Sequence, residues 1–372
     1  MIKRQRILVT GADGFIGKNL VISLAENAKF EVIPYVRGDT IEKLALLVAK
    51  VDVIIHLAGV NRTDIVDDFV RVNIGLTQFL CEEIRATGRN IPLLLSSSTQ
   101  AGKDNPYGKS KLAAEKVVEE YVIRTGNTAI IYRLPGVFGK WCKPNYNSVV
   151  ATYCHNIARN LPIKISNVDS LLELVYIDDV IEEFRRAMGD LKPGLVRGEI
   201  LPKYSISLGN LAEQISAFQN CRTNLITERV GKGLTRALYS TYISYLPTDL
   251  FFYDLPQHGD ERGIFVEMLK TKDSGQFSFF TVYPGITRGS HYHHSKTEKF
   301  LVVKGVAMMR FRHLITGETY QITASADKPQ VVESIPGWVH DITNIGVDDA
   351  IIMLWANEIF DRQRPDCLPC KV

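Results

Sequence analysis

Tyr107-Gly108-Lys109-Ser110-Lys111 sets a phenol and an ammonium four residues apart, on one face if the segment is helical. A nearby ammonium would lower the tyrosine pKa, and the phenol would exchange a proton with a substrate oxygen during hydride transfer. The run Ser96-Ser97-Ser98 ends an apolar segment shortly before, and a hydroxyl from it could bond the same oxygen. Taken alone, a surface helical pair and a strand-end cap account for both features equally well. Gly11-Ala12-Asp13-Gly14-Phe15-Ile16-Gly17 directly follows apolar Ile7-Leu8-Val9-Thr10. Glycines there allow a tight turn, admit a pyrophosphate close to the backbone, and aim the N–H groups of a following helix at the phosphates. Phe15 and Ile16 open that helix and belong to the same cofactor cradle. The next apolar segment, Phe30 to Val36, should end near the adenosine ribose, where an acidic residue would bind the 2′-hydroxyl of NAD. Arg37 stands there instead and suits a 2′-phosphate, which favours NADPH; Asp39 close by keeps NAD open.

A second cluster lies far downstream. Six of the eight histidines fall after residue 250. Gly285, five residues, His291-Tyr292-His293, four residues, Glu298, six residues, Gly305 form one pattern, and Gly337-Trp338-Val339-His340 supplies another histidine. On a strand, His291 and His293 point to one face, with His294 opposite. Three imidazoles and a carboxylate suit zinc first, and also nickel or iron(II). Any one of these histidines alone would read as a core or surface residue.

The elements that must position these groups change character along the chain. Over the first ~180 residues, apolar runs at 7–10, 51–58, 91–96 and 128–133 alternate with helical patterns such as 112–121, the mark of a parallel sheet covered on both faces. From about residue 250, short β-branched and aromatic segments (276–283, 298–303, 307–312, 319–323, 351–355) are punctuated by Gly and Pro, as in an antiparallel barrel or sandwich. The expected fold is therefore an α/β doubly wound parallel sheet of Rossmann type over 1–245, then an all-β barrel over 246–372. Sugar contacts are placed in about 140–245, with Asn145, Asn147 and Ser148 as candidates, although these could equally form a helix cap and a turn.

The 372 residues suit two or three domains. Composition is near the globular average, with 45% hydrophobic and 23% charged residues. A net charge of +3 without clustering argues against a nucleic-acid partner. No apolar run approaches the ~20 residues of a membrane span, and the scattered cysteines (81, 142, 154, 221, 367, 370) fit a reducing cytoplasm. Cys367-Leu368-Pro369-Cys370 has redox spacing but no following helix, and reads as an unstructured tail.

Residues 1–245 resemble the extended short-chain dehydrogenases/reductases that act on nucleotide sugars. The likeness rests on the glycine turn, His56-Leu57-Ala58-Gly59, Asn73, the serine run, Tyr107/Lys111, Arg133-Leu134-Pro135-Gly136 and Tyr176-Ile177-Asp178-Asp179. It implies Tyr107 as general acid, Lys111 as ribose-binding lysine, Ser97 or Ser98 as third member, and Leu57 and Ala58 beside the cofactor. About ten residues separate serine and tyrosine, fewer than in most members, which leaves the serine register open. The histidine patterns fit the two cupin motifs, with Pro336 directly before Gly337 a small departure. Arg262-Gly263-Ile264-Phe265-Val266-Glu267 resembles the substrate-holding signature of cupin epimerases of 4-keto-6-deoxy sugars, implying Arg262 and Glu267 as substrate contacts. Ile264 stands where an aromatic is usual, and a turn followed by a strand is the plainer reading.

The whole chain resembles the bifunctional capsular-polysaccharide enzymes of UDP-N-acetyl-L-fucosamine synthesis, in which a reductase domain precedes a cupin. That resemblance implies a UDP-linked 4-keto-6-deoxy amino sugar as substrate, epimerisation at C3 by the cupin, NADPH reduction at C4, and a homodimer. Epimerisation rests on a C3 hydrogen acidified by the C4 ketone; His294 and Asp341 are candidate bases. Two other readings stand beside it. In one the barrel is a metal-stabilised dimerisation module and only the reductase works; in the other the front domain merely senses NADP.

Overall fold

The computed structural model describes residues 4–256, 258–260, 263–265, 268–271, 275–358 and 363–372. The chain forms two compact units: residues 1–138 with 172–205, and residues 139–171 with 206–372. Compactness thus groups 139–171 and 206–245 with the barrel, whereas the change of texture near 246 separates strand patterns. Among the described residues no helix is long and apolar enough to cross a membrane.

The first unit is built on β1 (Gln5–Thr10), β2 (Phe30–Tyr35), β3 (Val53–His56), β4 (Leu93–Ser98), β5 (Thr128–Leu134) and β6 (Gly194–Gly198). They pair in the order β2-β1-β3-β4-β5-β6, all parallel. Ile7, Leu8, Val9, Ile54, Ile55 and Leu93 are fully buried, so these strands are apolar on both faces, as a sheet covered by helices requires. Strand order reverses between β1 and β3, and such a switch point opens a crevice at the strands' carboxyl ends. The Gly11 turn lies there, leading into α1 (Phe15–Ala25). The helix α2 (Pro106–Thr125) begins with the Asn105 side chain accepting the Gly108 N–H at 2.8 Å and Pro106 in its first turn. It stops at Gly126, whose φ of 69° is left-handed.

The second unit carries α3 (Val149–Ile157), α4 (Leu208–Asn224) and α5 (Gly233–Ile243) together with the barrel strands. These strands are β7 (Phe252–Asp254), β8 (Gln276–Val282), β9 (Thr287–Tyr292), β10 (Glu298–Lys304), β11 (Val306–His313), β12 (Thr319–Ser325), β13 (Gln330–Glu333), β14 (Trp338–Asn344), β15 (Ala350–Ala356) and β16 (Leu368–Pro369). They form two five-stranded sheets, β7-β13-β10-β15-β8 and β12-β11-β14-β9-β16, antiparallel throughout. β11 alternates buried and less buried residues, the period of a strand with one face on a core. A buried ion cluster ties helix to barrel: Lys299 and Arg222 both bond Glu333, and Arg222 also donates to the Phe252 carbonyl at 2.9 Å. The Cys367–Cys370 segment corrects the sequence reading. It is not a free tail but an added strand, with Pro369 opposite His291 and Leu368 opposite Tyr292.

Candidate functional site

In the first unit the cradle is shaped by glycine. Gly11 has φ +67°, and a side chain there would strike the Ala58 nitrogen at 2.7 Å. A side chain at Gly17 would lie 2.1 Å from the Gly11 carbonyl, so Gly17 packs α1 onto the turn. Gly14 precedes α1 with no side-chain cap and no acidic residue in the first turn, which leaves the N–H groups and the positive helix end to an anion. Thr10 Oγ1 accepts from the Leu57 and Ala58 amides, both at 3.2 Å, joining the ends of β1 and β3 beside the cradle. Beyond β2, Arg37 is exposed. Asp39 is engaged on both oxygens, by Lys43 at 2.6 Å and the Val36 amide at 2.9 Å.

α2 carries Tyr107, Lys111 and Glu115 on one face, over the end of β4. The Ser98 hydroxyl faces the Tyr107 side chain and favours its ionised form. Ser97 points the other way and bonds buried Glu115, which Arg133 holds at 2.7 Å and Arg197 at 3.0 Å. Period two along the strand separates these hydroxyls, so of the two serines left open it is Ser98 that approaches Tyr107. Lys111 is buried and donates to the Ser96 carbonyl at 2.6 Å. Burial pushes its pKa down to about 8, with Glu115 opposing. Tyr107 differs from expectation: burial raises its pKa, the Ser98 hydroxyl offsets this only partly, and the Lys111 ammonium is directed at a carbonyl rather than at the phenol.

The sequence reading missed what lies beneath. His56 is buried between Thr10 (Nδ1 to Oγ1, 2.6 Å) and Thr77 (Nε2 to Oγ1, 3.0 Å), and Thr77 donates to the Asn73 carbonyl at 2.7 Å. Burial, then the Lys111 charge, push its pKa down to about 3, so it is neutral. Asn73 sits in a π-helical turn, Phe69–Gly75, and bonds the Val60 carbonyl and Ser110 Oγ, both at 2.9 Å. One contact chain thus runs from the glycine turn to α2. His56 and Asn73 were visible only as motif members, and no spacing announced their bonds.

In the second unit, His291, His293, Glu298 and His340 converge, with ligand atoms all within 4.8 Å of one another. His291 lies across from His340 in the β9/β14 register, beside a bulge between Gly289 and His291 that re-aims the strand. Glu298 opens β10. His293 Nε2 lies 3.0 Å and His340 Nε2 3.4 Å from Glu298 Oε2, and Lys296 Nζ lies 3.0 Å from Oε1. Burial alone would raise Glu298, but His293, His340 and Lys296 outweigh it and hold the carboxyl well below its usual range. Burial and the neighbouring imidazoles push His291 down to about 4, leaving it neutral, as a ligand must be. His340 has both ring nitrogens buried without a hydrogen bond. A buried donor set with orphaned nitrogens facing a carboxylate fits a divalent cation.

Other sequence candidates fall elsewhere. His294 is outside the cluster, its ring edge-on to Tyr292 at 5.6 Å. Asp341 is held by Arg310 through two bonds of 2.9 and 2.6 Å, which removes it as a free base. Ser148 caps α3, accepting from Ala151 N at 3.3 Å. Asn145 is exposed, its backbone N–H donating to Thr152 Oγ1 at 3.0 Å, and Asn147 is exposed too, so this stretch forms a cap and turn whose exposed side chains remain open to a ligand. Arg262 and Glu267 lie outside the described residues.

Fold and site together define a short-chain dehydrogenase/reductase followed by a cupin-type barrel. Residues 7–199 match the model of the NAD dependent epimerase/dehydratase family, and residues 258–368 that of the polysaccharide biosynthesis C-terminal domain. The chain belongs to the NAD dependent epimerase/dehydratase family and, within it, groups with the UDP-2-acetamido-2,6-beta-L-arabino-hexul-4-ose reductase of Pseudomonas aeruginosa, to which it is 55% identical over 99% of each chain. It is also similar to the capsular polysaccharide assembling protein CapF from Staphylococcus aureus, at 38% identity and a TM-score of 0.66, covering 99% of this chain and 100% of that one. A GDP-6-deoxy-D-talose 4-dehydrogenase of Aggregatibacter actinomycetemcomitans is 26% identical over 50% of this chain and 71% of its own length. Family membership makes a nicotinamide dinucleotide the cofactor of the first unit.

Proposed function

We propose that this chain carries out two successive reactions on a UDP-linked 4-keto-6-deoxy amino sugar. The barrel inverts C3 of a UDP-2-acetamido-2,6-dideoxy-4-hexulose, and the first unit then reduces the C4 ketone to give UDP-2-acetamido-2,6-dideoxy-β-L-talose. The observation that carries the reading is Ser98, at the end of β4, facing Tyr107 on α2, one turn from buried Lys111, in a chain so close over its whole length to a relative named as a UDP-hexulose reductase. We take the cofactor as NADPH because Arg37 is exposed where a 2′-phosphate would lie, while Asp39 is already bonded.

Bound NADPH supplies the hydride. Gly11, Gly14 and Gly17 would admit its pyrophosphate, Phe15 and Ile16 would line the end of α1 beside it, Leu57 and Ala58 would flank the turn, and Lys111 would hold the nicotinamide ribose. Tyr107 donates its phenolic proton to the C4 oxygen as that oxygen gains charge, and Ser98 steadies the same oxygen by a hydrogen bond. Reduction needs a protonated tyrosine, and its raised pKa keeps it so at neutral pH. In the barrel, His291, His293, Glu298 and His340 would hold a divalent cation, taken as Zn²⁺, which supplies Lewis-acid polarisation or orders the strands. Arg262 and Glu267 would hold the sugar there. Coupling on one chain lets reduction drain the epimerisation equilibrium and keeps the intermediate locally concentrated. We further propose a homodimer through the barrel and, from six free cysteines, a cytoplasmic setting.

The test is NADPH consumption with the UDP-4-hexulose, followed by product NMR. The talo product is expected. A folded, full-length chain that leaves both NADPH and ketone unchanged would refute the reading.

A further inference from the structure

The C-terminal segment meets the histidine cluster at three places. The main-chain carbonyl of Asp366 bonds His293 Nδ1. A carbonyl only accepts, so Nδ1 carries a proton, and Nε2, 3.0 Å from Glu298 Oε2, is the ring nitrogen left for a cation to take. The Asp366 carboxylate accepts from the amides of His294, Ser295 and Lys296 at 2.8, 2.7 and 2.7 Å, and from Ser295 Oγ at 3.1 Å. That pins the turn between His293 and Glu298. The segment then pairs as β16 with His291 and Tyr292, and the Cys370 amide donates to the Ser290 carbonyl at 2.8 Å, at the bulge. Strand pairing alone does not require a half-buried carboxylate carrying four bonds from one turn.

We infer that Asp366 is a positioning residue of the His/Glu centre: its carbonyl fixes the tautomer and ring direction of His293, its carboxylate fixes the turn leading to Glu298, and together they set the affinity of the centre for a divalent cation. This rests on reading the cluster as a metal centre. Ligand imidazoles whose second nitrogen is tied down lose about 10–100-fold in metal affinity when that tie is removed.

The experiment measures Zn²⁺ affinity by chelator competition and the Co²⁺ absorption spectrum, on the full chain and four variants. One variant ends at Pro365 and loses both carbonyl and strand. One ends at Cys367, keeping Asp366 but losing β16. The others are Asp366→Ala and Asp366→Asn, and near-ultraviolet circular dichroism of the metal-free proteins reports folding. The Pro365 truncation, which removes the carbonyl on His293, should bind Zn²⁺ about 10–100-fold more weakly with an altered Co²⁺ spectrum; Asp366→Ala, which keeps that carbonyl and frees only the turn, should bind about tenfold more weakly, Asp366→Asn should recover part of that loss, and the Cys367 truncation should stay within about threefold. If the Pro365 truncation is unfolded, the two Asp366 substitutions decide by the same criteria. Equal Zn²⁺ affinity in folded Asp366→Ala overturns the proposal, as does an equal loss in the Cys367 truncation, which would put the effect in the strand. A full chain that takes up no Zn²⁺ instead overturns the metal reading, and the clamp with it.

Discussion

The two centres are assembled in opposite ways. In the reductase unit, Tyr107, Lys111 and Glu115 come from one helix and the serines from one strand end, so most of the site is local in sequence. In the barrel, His291 and His293 come from β9 and the turn just after it, Glu298 from β10 and His340 from β14, and the tie on His293 comes from residue 366. The electrostatics differ too. Burial keeps the phenol of Tyr107 protonated and His56 neutral, which stores a proton where reduction needs one. The barrel gathers imidazole nitrogens around a carboxylate, an arrangement that needs a proton or a cation among them. Proton delivery therefore depends on a few neighbouring residues, whereas ligand convergence depends on the whole barrel's register.

If the centres are separable, Tyr107→Phe should slow C4 reduction by about 10²–10⁴-fold while C3 exchange continues; a parallel loss of both would merge what the structure separates. The two serines sharpen the contrast within the first centre. Ser98→Ala should cost about 10²–10³ in kcat, as for loss of one donor to a reacting oxygen. Ser97→Ala should instead lower stability by about 1–3 kcal/mol through Glu115, with kcat per folded molecule retained, and steady-state kinetics beside denaturant melts separate the two. At the cofactor end, Arg37→Ala should raise KM for NADPH about 10–100-fold, the worth of one charge-assisted contact, leaving the weaker use of NADH unchanged.

The gentlest effect per pH unit concerns His56. Its pKa is about 3 in the fold against 6.5 unfolded. Between these values the unfolded chain binds the extra proton, so stability is full above 6.5 and falls as pH drops toward 3. Urea melts across that window should show about 1 kcal/mol per pH unit from this residue, and His56→Asn should flatten that slope.

Much of this was legible in residue order. The glycine turn, the Tyr107/Lys111 pair and the His291, His293, Glu298 set follow short spacings, because a strand followed by a turn, or two strands joined by one, leaves few geometries, while His340 came from a separate motif that the structure brings beside them. What was not legible depended on direction or distance. The serine register needed the alternation of β4 to be anchored by α2. Asp341 looked like a base until its cross-strand neighbour Arg310 was known. Asp366 carried no signal, since nothing in Arg364-Pro365-Asp366-Cys367 announces a bond to His293. Ser148 and Asn145 were legible as cap and turn, and the fold uses them so.

The central claim is that one chain epimerises and then reduces. Incubating the full-length protein with UDP-2-acetamido-2,6-dideoxy-4-hexulose in D₂O, with and without NADPH, tests it most directly by NMR. The account predicts deuterium at C3 with the ketone intact when NADPH is absent, and a C3-deuterated talo product when it is present. Reduction without deuterium at C3 would contradict it and leave a reductase carrying a structural barrel.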